Sequence, residues 1–233
     1  MQKNKSSDLY FMILTILAGA IALTGDLLIG YTMPGLFGKY GVVQDSWSQV
    51  AVWRPALSLF LASLAFPFYL PGLYVVSKRI EKTSPKSGKA FLITSFAAST
   101  GWLMVHAVFC IPQFVFIYLS DAGYPELAWK LTDTMLDMFL PSIAISSSAM
   151  LIAFLLLFEV IVRKRTIYSR WYVLMNPIVI VVVILLLVGL LPNSIFLNCL
   201  SMCKMNLGMF LFFIAAVVKE CKSLRVKGLE AVQ

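Results

Sequence analysis

The sequence predicts an all-α fold: a polytopic transmembrane helix bundle of about six spans, with both termini in the cytoplasm. Three observations carry that expectation. Hydrophobic residues make up 60% of the 233 and charged residues only 13%, whereas soluble domains are about 45–50% apolar and about 25% charged. The apolar residues are gathered into runs long enough to cross a bilayer, which takes about 20 residues per helix. The basic residues are gathered into short clusters between alternate runs, as cytoplasmic loops carry them.

In chain order the spans are Leu9–Tyr31, Val52–Ser77, Ala90–Leu119, Trp129–Val162, Trp171–Leu191 and Cys199–Val218, in a single transmembrane domain over 1–233. The third and fourth exceed what a bilayer needs, so they tilt, kink or protrude. Pro55 suits a first helical turn. Pro67, Pro71, Pro112 and Pro141 fall inside spans and predict kinks, and Asn176–Pro177 predicts another. The loop Thr32–Ala51 is the longest and carries Pro34, Gly35, Gly38 and Gly41. Trp47, Trp53, Trp129 and Trp171 stand at helix ends as interfacial anchors. Small residues at Ala97, Ala98, Ser99 and Gly101, and at Ser142, Ala144, Ser146, Ser147 and Ser148, allow close helix approach. There is no internal repeat.

Charge placement sets the orientation. Lys3 and Lys5, then Lys78, Arg79, Lys82, Lys86 and Lys89, then Arg163, Lys164, Arg165 and Arg170, then Lys219, Lys222, Arg225 and Lys227 hold 15 of the 19 basic residues. Placing all of them inside satisfies the positive-inside rule and requires an even number of spans. The start of the chain also resembles a signal peptide, with Ala18-Gly19-Ala20 as an A-x-A site. The apolar run continues to Tyr31, longer than a signal needs, which favours an uncleaved helix.

The net charge of +8 does not imply a nucleic-acid partner, because the charges lie in these loop clusters. Cys110, Cys199, Cys203 and Cys221 form no C-x-x-C pair, and the chain has one histidine. No metal site and no cofactor are expected. Cys199 and Cys203 read as packing residues.

Ionisable residues inside lipid are costly and mark functional sites by default. Counting about 1.5 Å per residue from the basic clusters puts Asp26 roughly 27 Å up, His106 and Ser146 roughly 25 Å, Lys204 roughly 22 Å and Asn206 roughly 20 Å. Five polar residues from four helices thus share one slab in the outer half. Arg54, Gln113, Asp133 and Asp137 form a second set near the outer interface, Asp133 and Asp137 on one helix face. Together they predict a polar cleft open to the outside. Plainer readings stand beside this one: an Asp26–Lys204 structural pair, His106 as interhelical glue, Arg54 snorkelling, and aspartates solvating a helix end. Glu159 reads as a surface partner of Arg163. There is no G-x-S-x-G, H-E-x-x-H or phosphate loop. A Ser146 or Ser148, His106 and Asp26 set is a weak signal in a serine-rich chain.

GDLLIGYTMPG at Gly25–Gly35, His106 within GWLMVHAVFC and FLPS at Phe139–Ser142 give a layout that resembles a family of small bacterial six-span membrane proteins of unknown function. The resemblance implies a fold and a bacterial cytoplasmic membrane, and supplies no activity. The leading expectation is an outward-facing polar pocket that binds or transports a small or lipid-like ligand, with Asp26, His106 and Lys204 as its floor. The first alternative is a membrane enzyme acting on a lipid-like substrate with His106 as acid/base. The second is an accessory or immunity protein acting through a partner. Membrane lipids are expected partners, and six helices are few for a transporter, which suggests a homodimer.

Overall fold

The computed structural model describes residues 3–36, 38–39 and 43–230, with the side chains of 3–6 and 222–230 excepted. Gly41 and the side chains of Lys3, Lys5, Lys222, Arg225 and Lys227 therefore lie outside the described residues. Among the described residues seven α-helices make up the fold: α1 Lys3–Gly30, α2 Trp53–Ala65, α3 Tyr69–Glu81, α4 Pro85–Asp121, α5 Pro125–Val162, α6 Pro177–Leu190 and α7 Ile195–Glu230. Short 3-10 turns lie at Asp45–Gln49, Phe66–Phe68 and Arg170–Met175, and no strand element occurs among the described residues.

Five stretches are long and apolar enough to cross a membrane: Ser7–Gly30, Trp53–Glu81, Pro85–Asp121, Pro125–Val162 and Ile195–Cys221. They mark a multi-pass membrane protein. The sixth expected span, Trp171–Leu191, is not one helix. Its first part is the 3-10 turn Arg170–Met175, and only the 14 residues of α6 are α-helical. Asn176–Pro177 is not a kink within a span but a helix start. The Asn176 side chain accepts from the Ile178 N–H at 3.0 Å, capping α6, and its amide donates to the Phe154 carbonyl at 3.2 Å. Pro177 takes the first helical position, where its missing N–H costs nothing.

The second span does bend. Phe66–Phe68 forms a 3-10 turn around Pro67, dividing α2 from α3. Thr15 of α1 repairs the break: its hydroxyl lies 3.0 Å from the Phe68 carbonyl and accepts the Gly72 N–H at 3.1 Å. Neighbouring side chains commonly re-satisfy backbone that a proline frees in a membrane helix. Gly72 is needed here, since a Cβ would stand 2.6 Å from the Phe213 ring and closer still to Thr15. Helices α4 and α5, with 37 and 38 residues, are each about 55 Å long, well beyond the about 30 Å hydrocarbon core. Gly123 joins them at φ +86°, the left-handed conformation that ends helices.

Helix α1 packs on α2, α3 and α7, while α4 packs on α2, α3 and α5, and α6 lies on α7. The core runs through Phe66, Tyr69, Phe91, Phe154, Leu157, Phe212 and Phe213. The end carrying loop 32–51 is closed by that loop. Val43 and Trp47 pack with Val108, Phe116, Ala128 and Leu136, and the Asn198 amide donates to the Gly30 and Thr32 carbonyls at 3.0 and 3.2 Å. The end carrying the termini is tied by Arg79, which is 7% exposed. Its guanidinium lies 3.1 Å from both Asp8 of α1 and Glu220 of α7. Beside them Tyr168 is buried, which raises its hydroxyl above the ordinary tyrosine range; the charge of Arg79 opposes the shift, and that of Glu220 adds to it.

Removing Arg79 leaves two carboxylates facing each other without a counter-charge. Arg79→Met is expected to cost about 3 kcal/mol, the low end for breaking a buried pair, because Asp8 is 34% exposed. Adding Glu220→Gln to Arg79→Met should recover part of the loss, read as unfolding midpoints of the purified protein in detergent.

Candidate functional site

Within the bundle, between the α4–α5 hairpin and the α1–α7 pair, lies a cavity of about 210 Å³. Asp26 and Ile29 of α1, Trp102 and His106 of α4, Ser147 of α5, and Lys204 and Asn206 of α7 line it, among others. The regular helical rise brings Asp26, His106, Lys204 and Asn206 to one level, as the depth count anticipates.

Asp26 is 4% exposed and holds two contacts. Its Oδ2 accepts from the Asn206 amide at 2.8 Å, and its Oδ1 lies 3.5 Å from His106 Nδ1. Asn206 is fixed from the other side, where its Oδ1 accepts from the Tyr69 hydroxyl at 3.0 Å. His106 Nε2 lies 2.9 Å from Ser58 Oγ, and Ser58 donates its one proton to the Gly25 carbonyl at 2.8 Å. Ser58 must then accept from His106, so Nε2 carries a proton and Nδ1 is the nitrogen turned to Asp26. Nδ1 and Asp26 Oδ1 stand 3.5 Å apart, longer than an ordinary hydrogen bond.

The line Ser58–His106–Asp26 has the order of a nucleophile–base–acid triad. It does not have the chemistry of one. The Ser58 side chain is completely buried, does not line the cavity, and points its proton at Gly25 rather than at the imidazole. A nucleophile must face substrate and give its proton to the base.

Lys204 does not contact Asp26. Its ammonium turns back onto the Ser201 carbonyl of its own helix, and among the described residues no carboxylate lies within 4.0 Å of it. Ser146 is buried against Gly101, where a Cβ would collide with its hydroxymethyl group; its neighbour Ser147 lines the cavity instead.

The upper set does not form a continuous cleft with these residues. Arg54 donates to the Tyr31 carbonyl at 2.8 Å, joining the start of α2 to the end of α1. Gln113 is fully buried, with both amide atoms unpartnered among the described residues. Asp137 pairs with Lys39 of the long loop at 3.0 Å, and Asp133 approaches Gly38. Sequence reasoning passed over Ser58, Tyr69, Trp102 and Met205. Ser58 and Tyr69 carry no charge, and a serine or tyrosine in an apolar run gives no signal of which way it faces. Among the described residues no group of three or more histidine, cysteine or acidic side chains is arranged to hold a metal ion.

A family model matches residues 1–223. The chain belongs to the family of unknown function DUF6796. Membership extends over nearly the whole chain, as the resemblance of the GDLLIGYTMPG and GWLMVHAVFC segments implies, and brings no activity with it. No curated protein and no solved structure matches the chain.

The Asn206 bridge yields a graded test. Tyr69→Phe removes one hydrogen bond and should cost about 1 kcal/mol. Asn206→Leu strips both Asp26 and Tyr69 of a partner and should cost at least twice as much. Both are read as shifts in the unfolding midpoint in detergent.

Proposed function

We propose that this DUF6796 protein is a six-span cytoplasmic-membrane protein, a single domain over 1–233 with both termini inside, whose polar cavity binds or carries a small or lipid-like ligand. The observation that carries the reading is the convergence of Asp26, His106, Lys204 and Asn206, from three helices, on a cavity of about 210 Å³. Ionisable groups within membrane helices face a binding site, a proton path or each other. Here they face the cavity, and Asp26 and His106 also face each other.

Supporting six spans, α6 is apolar all round and exposes Val182, Val183, Leu185, Leu186 and Leu190, the surface of a helix in lipid. Its 14 residues reach about 21 Å, and the 3-10 turn Arg170–Met175 precedes it. An inside location for both termini follows from the basic clusters and sets the cavity in the outer half of the bilayer. The source membrane, by resemblance, is bacterial.

The Asp26–His106 pair gives the cavity a proton that can come and go with ligand. A membrane enzyme with His106 as acid/base is the second reading, favoured by the ring's fixed orientation and by its Nδ1 facing a carboxylate.

The topology reading expects alkaline phosphatase fused after residue 123 or 193 to be active, and fluorescent-protein fusions after residue 83 or 166 to fluoresce. A reversed or five-span result at residue 193 would refute it. The ligand reading expects native mass spectrometry of protein purified from membranes to find a bound small molecule or lipid. Asp26→Asn should lower its occupancy at least tenfold while the unfolding midpoint stays within a few degrees. Equal occupancy in that variant would count against the site. The enzyme reading instead expects incubation with membrane lipids to yield a product of changed mass, abolished by His106→Ala.

A further inference from the structure

The cavity continues sideways. A second hollow of about 320 Å³ lies against it, and the two share Trp102, Ser147, Lys204 and Met205. The lining of this second hollow is otherwise apolar, with Leu151 and Phe154 from α5 and Ile178 and Val181 from α6. It therefore follows the seam between α5 and α6. That seam is loosely made: α5 packs chiefly on α4, and α6 chiefly on α7. Leu151 is among the exposed residues, so the groove opens toward the bilayer rather than toward the loop end, which Trp47 and its neighbours fill.

Lys204 stands at the junction of the two spaces. It is the one cation in either lining, and its ammonium has only a main-chain carbonyl of its own helix as a close partner. A lysine at this depth needs an anion. The carboxylate at hand, Asp26, lines the same cavity but is held by Asn206 and His106 rather than by the ammonium. An apolar groove open to lipid, ending on a cation that no carboxylate among the described residues touches directly, matches one chemistry: an acyl chain with an anionic head. The methionines around the junction, Met150 and Met205, are unbranched and adapt to a flexible chain.

We propose that the ligand is an acidic amphiphile, carrying a carboxylate or phosphate head, that enters laterally between α5 and α6 and sets its head on Lys204. This proposal rests on the reading of the cavity as a ligand site and narrows it. The head group occupies the polar cavity within reach of Asn206, and the chain lies along Leu151, Ile178 and Val181. Binding brings a negative charge into a space that also holds Asp26, and the Lys204 ammonium offsets it.

The test uses the full-length protein in phosphatidylcholine nanodiscs. Three photoactivatable probes with a diazirine in the chain are compared: a C16 fatty acid, the corresponding fatty alcohol, and a phosphatidic acid. Labelled residues are mapped by peptide mass spectrometry. The expected result is labelling of α5 and α6 around Leu151, Ile178 and Val181 by an acidic probe, at least tenfold above the alcohol. Lys204→Gln should reduce acid labelling to the level of the alcohol, and Lys204→Arg should retain most of it. Leu151→Trp, which narrows the groove without touching the charge, should block labelling at Ile178 and Val181. Whichever of the fatty acid and the phosphatidic acid labels more strongly identifies the source of the head group.

Equal labelling by acid and alcohol, or indifference to Lys204→Gln, would overturn the anionic class and leave the cavity reading standing. Labelling confined to residues near Trp102 and His106 would overturn lateral entry. No labelling of groove or cavity by any probe, from protein that elutes as a single species, would overturn this proposal. The cavity reading would then stand or fall on the Asp26→Asn occupancy.

Discussion

A carboxylate in the middle of a membrane helix has to be satisfied by protein, because lipid offers it nothing. Much of this bundle is arranged around that constraint at Asp26. One arm runs from Asp26 through the Asn206 amide to the Tyr69 hydroxyl; the other runs through His106 and Ser58 to the Gly25 carbonyl. These contacts join α1, α2, α3, α4 and α7. Links in such a chain polarise one another in a low dielectric, and each loss strands a neighbour. The network also accounts for small residues beside it. Gly25 stands with a Cβ position 3.3 Å from the Ser58 carbonyl oxygen, so a side chain there would press α1 away from α2.

Two further ties hold the same helices at their ends. Arg79 gathers α1, α3 and α7 through Asp8 and Glu220, and Asn198 binds the end of α1 to the start of α7. Three polar levels along α1 fix its height and its rotation. Pure apolar packing does this poorly in lipid, where the tails are as apolar as the side chains. The α5–α6 seam has no comparable polar tie along its length. Asn176 reaches the Phe154 carbonyl, and the Tyr172 hydroxyl reaches the Ala215 carbonyl, both near the base of α6. Above that level α6 is attached to the bundle through α7. The sideways groove is thus tied by polar contact only at its lower end, where Asn176 bonds Phe154 and Ile178.

Hydropathy was enough to locate the long helices, because a spanning run must be apolar over its whole length. It does not show the turn within Trp171–Leu191: Pro177 and the capping Asn176 are local signals that composition overrides. Depth counting brought Asp26, His106, Lys204 and Asn206 to one level, since helical rise is nearly constant. It reports height and not rotation about the axis. That is why Ser146 and Ser147 could not be told apart, and why Lys204 read as the partner of Asp26 although Asn206 makes the contact. Arg79 reads as a loop charge in the sequence because it sits in a basic cluster. Only the packing of α3 against α1 and α7 shows it to be buried. The uncharged members, Ser58 and Tyr69, were invisible for the same reason as Ser147: polarity alone does not say which face of a helix a residue takes.

Whether the Asp26–Lys204 relation is purely structural can be argued from its geometry. A lysine kept only to neutralise an aspartate in the membrane gains most from contact, since attraction at close range is what offsets the desolvation of both ions. Lysine has the reach and flexibility for it. In this protein the contact goes to Asn206, a neutral donor, and to the histidine, while the lysine faces the shared wall of two hollows and bonds a carbonyl one turn away on its own helix. Asn206 and His106 hold Asp26, so its carboxyl and the Lys204 ammonium line one cavity without touching. Keeping the two groups apart in this way forgoes the close contact that a direct pair would have made. The arrangement makes physical sense where the positive site has an anion of its own to meet.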